Sequence, residues 1–357
     1  MLPLGQRVLE KLISLIDEEL GKIGCQKLSL PLLQSPEIWN KSGRLNQLKG
    51  DIFTTDTGMV LSPTAEEEIT SLVKRTVFSH KHLPQRLYQI GPKFRNEARP
   101  RNGLFRMKEF LMKDLYTFDK DLTSTKESYE QVVRCYESIF EKLEIPAVRT
   151  KADSGAMGGS SSEEFHLLNE HGEDLVLICG SCRSLRNKEV TEPCCNSPSL
   201  SEHKGLELAH AFILGNRYSK AFEATFTDAN QKKQIIQMGC FGIGVSRLMA
   251  AVAEHHSDDQ GIFWPDVIAP FNSAIVLKAP IAAPVNIPKD TLIDDRDSIT
   301  ISRKIKDMYL IGIPNIYVFG KHWIESARIE YHERKSKTIS LLTLDDFNGR
   351  HARPRAA

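Results

Sequence analysis

The stretch from 94 to 114, FRNEARPRNGLFRMKEFLMKD, constrains the fold of this chain more than any other. Two strand-like segments, 86 to 94 and 104 to 113, flank a loop of Gly, Pro and Asn running from Ala98 to Leu104. An antiparallel hairpin is the expectation. Alternate residues of a strand share a face, so Arg95 and Glu97 point the same way. Arg106, Lys108, Phe110, Met112 and Asp114 form the matching row on the returning strand. Once paired, the two strands display two arginines, a glutamate and an aromatic on one sheet surface. Arginine's planar fork matches phosphate oxygens. Phe110 can then stack on a purine, and Glu97 can orient an amine or a metal. A solvated, salt-bridged hairpin gives the same pattern, and this stretch alone does not separate the two.

The rest of the chain supplies context. Val8, Leu9, Leu12, Ile13, Leu15, Ile16 and Leu20 predict an amphipathic helix over 5–23. Leu28 to Leu33 reads as a short strand interrupted by Pro31. Thr64 with Glu67 fits a capping box at the start of a second helix, with Pro63 in its first turn. Val132, Val133, Tyr136, Ile139, Phe140 and Leu143 predict a helix over 123–143. Residues 153 to 172, dominated by Gly, Ser and Glu, read as loops. Residues 174 to 225 alternate short apolar segments with turns, and 239 to 256 read as strand, glycine turn and helix. After a linker bracketed by Pro265 and Pro270 the order becomes strand (274–277), strand (291–294), helix (299–310), strand (316–319) and strand (328–332).

Composition excludes several classes. The chain has 357 residues, 41% hydrophobic and 26% charged, with a net charge of +1, so any polyanion must be met by local patches. No apolar run reaches the ~18 residues that span a bilayer, so no membrane association is expected. Neither a secretory signal nor a transit peptide is visible at the start. Seven cysteines, an odd number in a chain this long, argue for reduced thiols rather than a disulfide scaffold.

Two further constellations carry chemistry. Met238-Gly239-Cys240-Phe241-Gly242-Ile243-Gly244-Val245-Ser246-Arg247 combines three glycines with an arginine at a helix start, where a ligand can approach the backbone closely. No GxxxxGK[ST] phosphate loop occurs. Ser62-Pro63-Thr64-Ala65-Glu66-Glu67-Glu68 places acids in a first helical turn, either to complement the helix dipole or to hold a cationic amine.

The order of these motifs closely resembles the class II aminoacyl-tRNA synthetases, and within them the prolyl-tRNA synthetases of bacterial and mitochondrial type. The carrying stretches are LPLGQRVLEKL (2–12), LSPTAEEEIT (61–70), LPQRLYQIGPKFRNEARPRNGLFRMKEFLMKDLYTF (83–118), GLELAHAFILGNRYS (205–219) and MGCFGIGVSRLMAA (238–251). WPDVIAP (264–270), DDR (294–296) and LIGIP (310–314) extend the match, so it covers nearly the whole chain. The resemblance implies an α+β fold: a class II synthetase antiparallel sheet flanked by helices, plus a small C-terminal α/β anticodon-binding domain. The implied domains are a catalytic domain at 1–268, an apparently shortened anticodon-binding domain at 269–348, and a disordered basic tail at 349–357.

The implied reaction is ATP-dependent ligation of L-proline to tRNA(Pro) through a prolyl-adenylate, with Mg²⁺ on the phosphates. By the same resemblance Arg95 bridges the α-phosphate and the substrate carboxylate, Glu97 lies beside the adenine, Arg106 meets the γ-phosphate and Phe110 stacks on adenine. Arg247 stacks on adenine or contacts phosphate, while Glu207 and His210 add ATP or magnesium contacts. Arg95, Arg106 and Arg247 form the implied catalytic set. Thr64 and Glu66 hold the secondary ammonium of proline, near Arg95, and Met112, Phe212 and Cys240 wall the ring. Asp295, Arg296, Pro314, Glu330 and Arg334 match positions around the anticodon surface. The resemblance also implies a homodimer and a mitochondrial matrix location. The readings that compete with a prolyl enzyme are a synthetase-like nucleic-acid-binding accessory protein without catalysis and a class II enzyme for threonine or serine.

The sequence departs from the family in several places. Val190 to Lys204 is a short connection where bacterial relatives often carry an editing insertion, so no hydrolysis of mischarged alanine in cis is expected. Ala65 and Glu163 stand where many members have histidine. The segment between Leu277 and Thr291 is too short for a helix that normally lies there, and the chain starts abruptly; both suggest a trimmed or spliced form. Finally, Cys179-Gly180-Ser181-Cys182 precedes an adjacent pair, Cys194-Cys195. Two CxxC pairs make a strong zinc signal, but an adjacent pair offers a poorer tetrahedral bite. The expectation is a strand and turn with reduced thiols, without zinc.

Overall fold

The computed structural model describes residues 1–196, 199–278 and 287–352. The chain divides into two compact units, Ile13–Ala251 and a second made of Met1–Leu12 with Val252–Ala357.

The Ile13–Ala251 unit is built on a nine-stranded sheet. From edge to edge its strands are Gln26–Lys27, Gln85–Phe94, Glu109–Asp119, Gln237–Gly244, Leu200–Gly215, Ser161–Leu168, Ala147–Lys151, Leu185–Asn187 and Asp174–Cys179. The central pairings are antiparallel. The expected hairpin is present, but its second strand starts only at Glu109, because Gly103–Phe105 forms a 3₁₀ turn entered through a left-handed Asn102.

Helix Leu122–Lys142 covers one face of this sheet. The Asp121 carboxylate caps it by accepting from the Ser124 amide at 2.7 Å. Tyr129, Val132, Val133, Tyr136, Ile139 and Phe140 form its buried stripe. Tyr129 meets Phe241, and Tyr136 and Phe140 meet Phe165, with ring centroids 5.5 to 5.7 Å apart. Odd-numbered residues of the hairpin's second strand face this helix. The even-numbered Phe110, Met112, Asp114 and Tyr116 face the other way, which fixes the side on which a site can form.

Several expectations fail for identifiable reasons. Leu28–Leu32 is not a strand. Pro31 has no amide to give, and the segment is held instead by Leu28 N–H to the Tyr88 carbonyl (2.8 Å) and Leu30 N–H to Gln89 Oε1 (3.0 Å). Within the predicted loop 153–172 lies strand Ser161–Leu168, paired on both sides. Its serines and glutamates disguised it, yet Ser162, Phe165, His166 and Leu167 are buried. The three glycines at 239, 242 and 244 do not form a turn. They belong to strand Gln237–Gly244, which runs directly into helix Val245–His255. A Cβ on Gly239 would meet Thr117 Oγ1 at 2.8 Å and the Phe241 ring at 2.9 Å.

In the other unit, strands Thr291–Asp294, Ser273–Leu277, Asn315–Phe319, Ile329–Glu333 and Thr338–Leu342 form one sheet in that order. The first three are parallel and the last two antiparallel. Ser273–Leu277 is buried on both faces, as its unbroken apolar run requires. Strand Thr338–Leu342 and helices Lys321–Ser326 and Leu344–Ala352 were not foreseen. The last helix occupies the start of the tail expected to be disordered; 353–357 lie outside the described residues, as does most of the segment expected to lack a helix.

Lys113 is fully buried on the helix-facing side, donating to the Tyr136 hydroxyl and to the Phe241 carbonyl (3.0 Å). Burial depresses its ammonium from the ordinary 10.5 to about 7. Between those values the unfolded chain holds one proton more than the folded chain, so stability rises with pH; below about 7 the full penalty is present. Lys113→Met should flatten that rise, which amounts to a few kcal/mol on the usual conversion. Denaturant unfolding at pH 6 and pH 9 checks it, and an unchanged slope would contradict the assignment.

Candidate active site

A cavity of about 480 Å³ opens on the sheet face opposite helix Leu122–Lys142. Arg95, Glu97, Phe110, Met112, Asp114, Glu207, His210, Phe212, Cys240, Arg247, Thr64 and Glu66 all line it. The hairpin contributes two walls. Arg95 lies just past the first strand, 5.2 Å from the Phe110 ring centroid, in the geometry of a cation over an aromatic face. A Cβ at Gly242 would meet only Met112 Sδ, at 3.9 Å, so glycine there keeps the floor open.

Strand Leu200–Gly215 shows how local irregularity builds the site. Phe212 and His210 face the cavity with the alternate residues opposite Cys240 and Gly242. Regular alternation would turn Glu207 to the far side. A β-bulge between Glu207 and Ala209 shifts the parity and returns its carboxylate to the cavity. His210 stacks on Phe212 with centroids 3.8 Å apart, and its Nε2 lies 2.5 Å from Ser162 Oγ. Its Nδ1 is 3.5 Å from both Glu164 and Glu207. Desolvation works to raise Glu207, but the His210 ring and the Arg247 guanidinium hold its carboxyl well below the usual range. Burial and the Glu207 charge push Glu164 upward. Arg247 Nη1 donates to the Glu207 carboxylate at 3.1 Å and Nε to the Phe105 carbonyl at 3.0 Å, tying the hairpin loop to the sheet.

At the opposite wall, helix Glu66–Thr76 begins without a side-chain cap. Thr64 is not half of a capping box; its hydroxyl donates to Glu66 Oε2 at 2.6 Å. Arg44 Nη1 reaches the same oxygen at 2.9 Å, and the Cys240 thiol donates to Oε1 at 3.1 Å. Burial would raise Glu66, but Arg44, Thr64 and Cys240 together keep it ionised below its usual range. Glu67 takes Ser42 (2.7 Å) and shares Arg44, yet burial pushes its carboxyl upward. Burial also raises the Cys240 thiol well above its ordinary value, so it is a protonated donor and not a nucleophile.

The region from 53 to 256 matches the model of the class II tRNA synthetase core domain of the G, H, P, S and T group. The chain is 39% identical over 372 residues to "Probable proline--tRNA ligase, mitochondrial" of Schizosaccharomyces pombe, covering 97% of this chain and 87% of that one. It is 37% identical to "Proline--tRNA ligase" of Ehrlichia ruminantium, over 97% and 88% of the two chains. The chain belongs to the prolyl-tRNA synthetase family. The structure of Giardia lamblia prolyl-tRNA synthetase in complex with prolyl-adenylate superposes with a TM-score of 0.80 at 18% identity, over 97% of this chain and 70% of that one. The fold is therefore the class II synthetase core, as expected from the motifs.

Arg106 departs from the expected placement. It does not line the cavity and instead pairs with Glu97 at 2.8 Å and with Glu173, which Arg101 also holds at 2.5 Å. In the other unit Asp295 and Arg296 are exposed, Glu330 is half-buried and Pro314 is buried. Arg334, expected on an RNA-facing surface, is 1% exposed, salt-bridged to Asp258 and donating to the Gly261 carbonyl at 3.0 Å. Its side chain is committed to the interior of its own unit.

Sequence reasoning missed Arg44, Tyr116 and Glu164. Arg44 sits in an unremarkable KSGRLNQL segment. Tyr116 continues the alternate row of Phe110, Met112 and Asp114, which was the available signal; its hydroxyl accepts from the Ala65 amide and donates to Asp114. The structure also gathers Cys179, Cys182, Cys194 and Cys195, all reduced, at one edge of the sheet.

Arg44→Met should destabilise by about 3–5 kcal/mol at neutral pH, because it strands two buried carboxylates. In the native chain the pairing of Glu66 stabilises above the ordinary carboxylate value of 4.5 and is lost as pH falls through the lower folded value. In the variant Glu66 gains a proton easily, so the deficit should shrink between pH 7 and pH 4. Paired unfolding curves at the two pH values check both the size and the sign.

Proposed function

We propose that this chain activates L-proline with ATP and transfers it to tRNA(Pro), with the residues of the cavity in the following roles. The observation that carries the reading is the division of one cavity into two chemically distinct halves. One half offers Arg95, Glu97, Phe110, Glu207 and Arg247, which suit a nucleoside triphosphate. The other offers the ionised Glu66 with Thr64, walled by Met112, Phe212 and Cys240, which suits a small apolar ring bearing an ammonium.

Glu66 and Thr64 bind the secondary ammonium. The phenylalanine, methionine and thiol exclude water around the ring. Arg95, at the junction of the halves, brings the proline carboxylate and the α-phosphate together and neutralises the charge that builds as they join. Phe110 stacks on adenine, with Glu97 beside it, and Arg247 meets the nucleotide from the helix start. Arg106 reaches the terminal phosphate by exchanging Glu97 and Glu173 for phosphate oxygens. His210, held by Ser162, orients Glu207. The carboxylates of Glu164 and Glu207, whose oxygens lie within 4.8 Å of each other and of a His210 nitrogen, are hard ligands suited to Mg²⁺. Such an ion supplies charge neutralisation on the phosphates.

The Ile13–Ala251 unit is the catalytic part in this reading. The α/β sheet from Ser273 onward is the anticodon-binding part, with Asp295, Arg296 and Glu330 facing the RNA. Kinship with a mitochondrial relative supports a location in the mitochondrial matrix, and the family resemblance supports a homodimer, which light scattering would test.

Proline-dependent ATP–pyrophosphate exchange tests the reading. Exchange with threonine or serine instead would give the site a different substrate, and none from folded protein would favour an accessory role. Arg95→Ala should cost ~2–4 kcal/mol of transition-state stabilisation, about 10²–10³-fold in exchange rate. Unchanged exchange kinetics would remove Arg95 from the proposed role.

A further inference from the structure

The four cysteines at the far edge of the large sheet have no part in the chemistry above. They come from three places in the chain. Cys179 ends strand Asp174–Cys179, Cys182 lies in the turn after it, and Cys194 and Cys195 lie in the connection before strand Leu200–Gly215. Their sulfurs nevertheless lie within 4.8 Å of one another. Cys179 and Cys195 are 3.8 Å apart, Sγ to Sγ, with no disulfide among the four. A tetrahedral ion with metal–sulfur bonds of ~2.3 Å holds its sulfurs about 3.8 Å apart, so the observed spacing is that of ligands around a common centre.

The backbone supports the arrangement. Arg183 N–H donates to the Cys179 carbonyl at 2.8 Å, and Arg183 adopts a left-handed conformation at φ 59°, folding the CGSC turn back on itself. The Cys179 amide donates to the Ser184 carbonyl at 3.0 Å, which closes the same turn from its other side. Cys194 and Cys195 lie in a bend without regular pairing, so an adjacent pair can aim both sulfurs at one point. The objection drawn from sequence spacing, that neighbours make a poor bite, assumes a regular backbone that this segment does not have.

We propose that Cys179, Cys182, Cys194 and Cys195 form a tetrathiolate zinc site whose role is structural. Four thiols give up their protons on binding, and four protein ligands leave no open position for a substrate. The ion clamps the Cys194–Cys195 segment beside the sheet where Leu200 pairs with Cys179 and the Gly180 amide donates to the Ser199 carbonyl at 2.7 Å.

The test uses the full chain, expressed with zinc in the medium and purified without chelator. Metal analysis should find one zinc per chain, released by a mercurial that attacks thiolates. Cobalt substitution should give intense sulfur-to-cobalt charge-transfer bands. Cys182→Ser, shown folded by circular dichroism, should lose the zinc, whereas Cys25→Ser should keep it. Metal-free wild type, disulfides among the four cysteines, or zinc retained by Cys182→Ser would each overturn the proposal. If Cys182→Ser does not fold, the cobalt spectrum of the wild type decides alone: charge-transfer bands support the site and their absence refutes it.

Discussion

Two carboxylates at the start of one helix share a single buried guanidinium, and the cleft is arranged around that fact. Glu66 and Glu67 are fully buried and Arg44 is 2% exposed. Burying such a cluster is a weak route to stability, because desolvation consumes most of the Coulombic gain. What it provides here is geometry. Arg44 is held over Trp39 and Tyr218, with centroid distances of 5.1 and 5.6 Å. A hydrogen-bonded chain runs from the Trp39 indole to Gln34, from Gln34 to Ser62, and from the Ser62 hydroxyl to the Thr64 carbonyl. Thr64 is therefore fixed from its backbone side while its hydroxyl engages Glu66. An ionised carboxylate whose orientation is already fixed by Arg44, Thr64 and Cys240 can accept an ammonium on its remaining lone pairs with little reorganisation, which is the preorganisation that binding a small rigid substrate requires.

The opposite half of the cavity is ordered differently. Its polar groups sit on strands, and their aim depends on register. One bulge decides whether Glu207 faces the cavity or helix Leu122–Lys142. Beneath it Asp114 accepts from Lys93 and Gln89 at 2.8 and 2.9 Å and from Tyr116, so a charge on the cavity floor is fully paired from below. The floor is thus polar, satisfied and rigid, and the residues above it are left to answer a ligand.

What was legible in the sequence follows from this difference. Strand alternation read Phe110, Met112 and Asp114 onto one face without help, and the motif order placed Glu66, Thr64, Phe212 and Cys240 together although the chain separates them widely. Arg44 could not be read, because its importance lies in what it neutralises rather than in any local pattern. Strand Ser161–Leu168 was mistaken for loop because its serines and glutamates are paired inside the fold, where polarity no longer signals solvent. The capping box failed from both ends: the Thr64 hydroxyl turns to the nearby Glu66 carboxylate, and Glu67 is taken by Ser42 and Arg44, which no local pattern announces. Arg334 was legible as a charge but not as a buried one, since its partner Asp258 is distant in sequence.

Strand Leu200–Gly215 connects the two ends of this account. Its first residue pairs with Cys179 beside the cysteine cluster, and its later residues carry Glu207, His210 and Phe212 into the cavity. A strand with a bulge has two possible parities, and a slip of one residue turns every side chain to the wrong face. Anchoring the start of the strand removes the freedom to slip before the bulge is reached. The cysteine cluster can therefore matter to the site without touching it: it fixes where the strand begins, and the bulge converts that origin into the direction of Glu207.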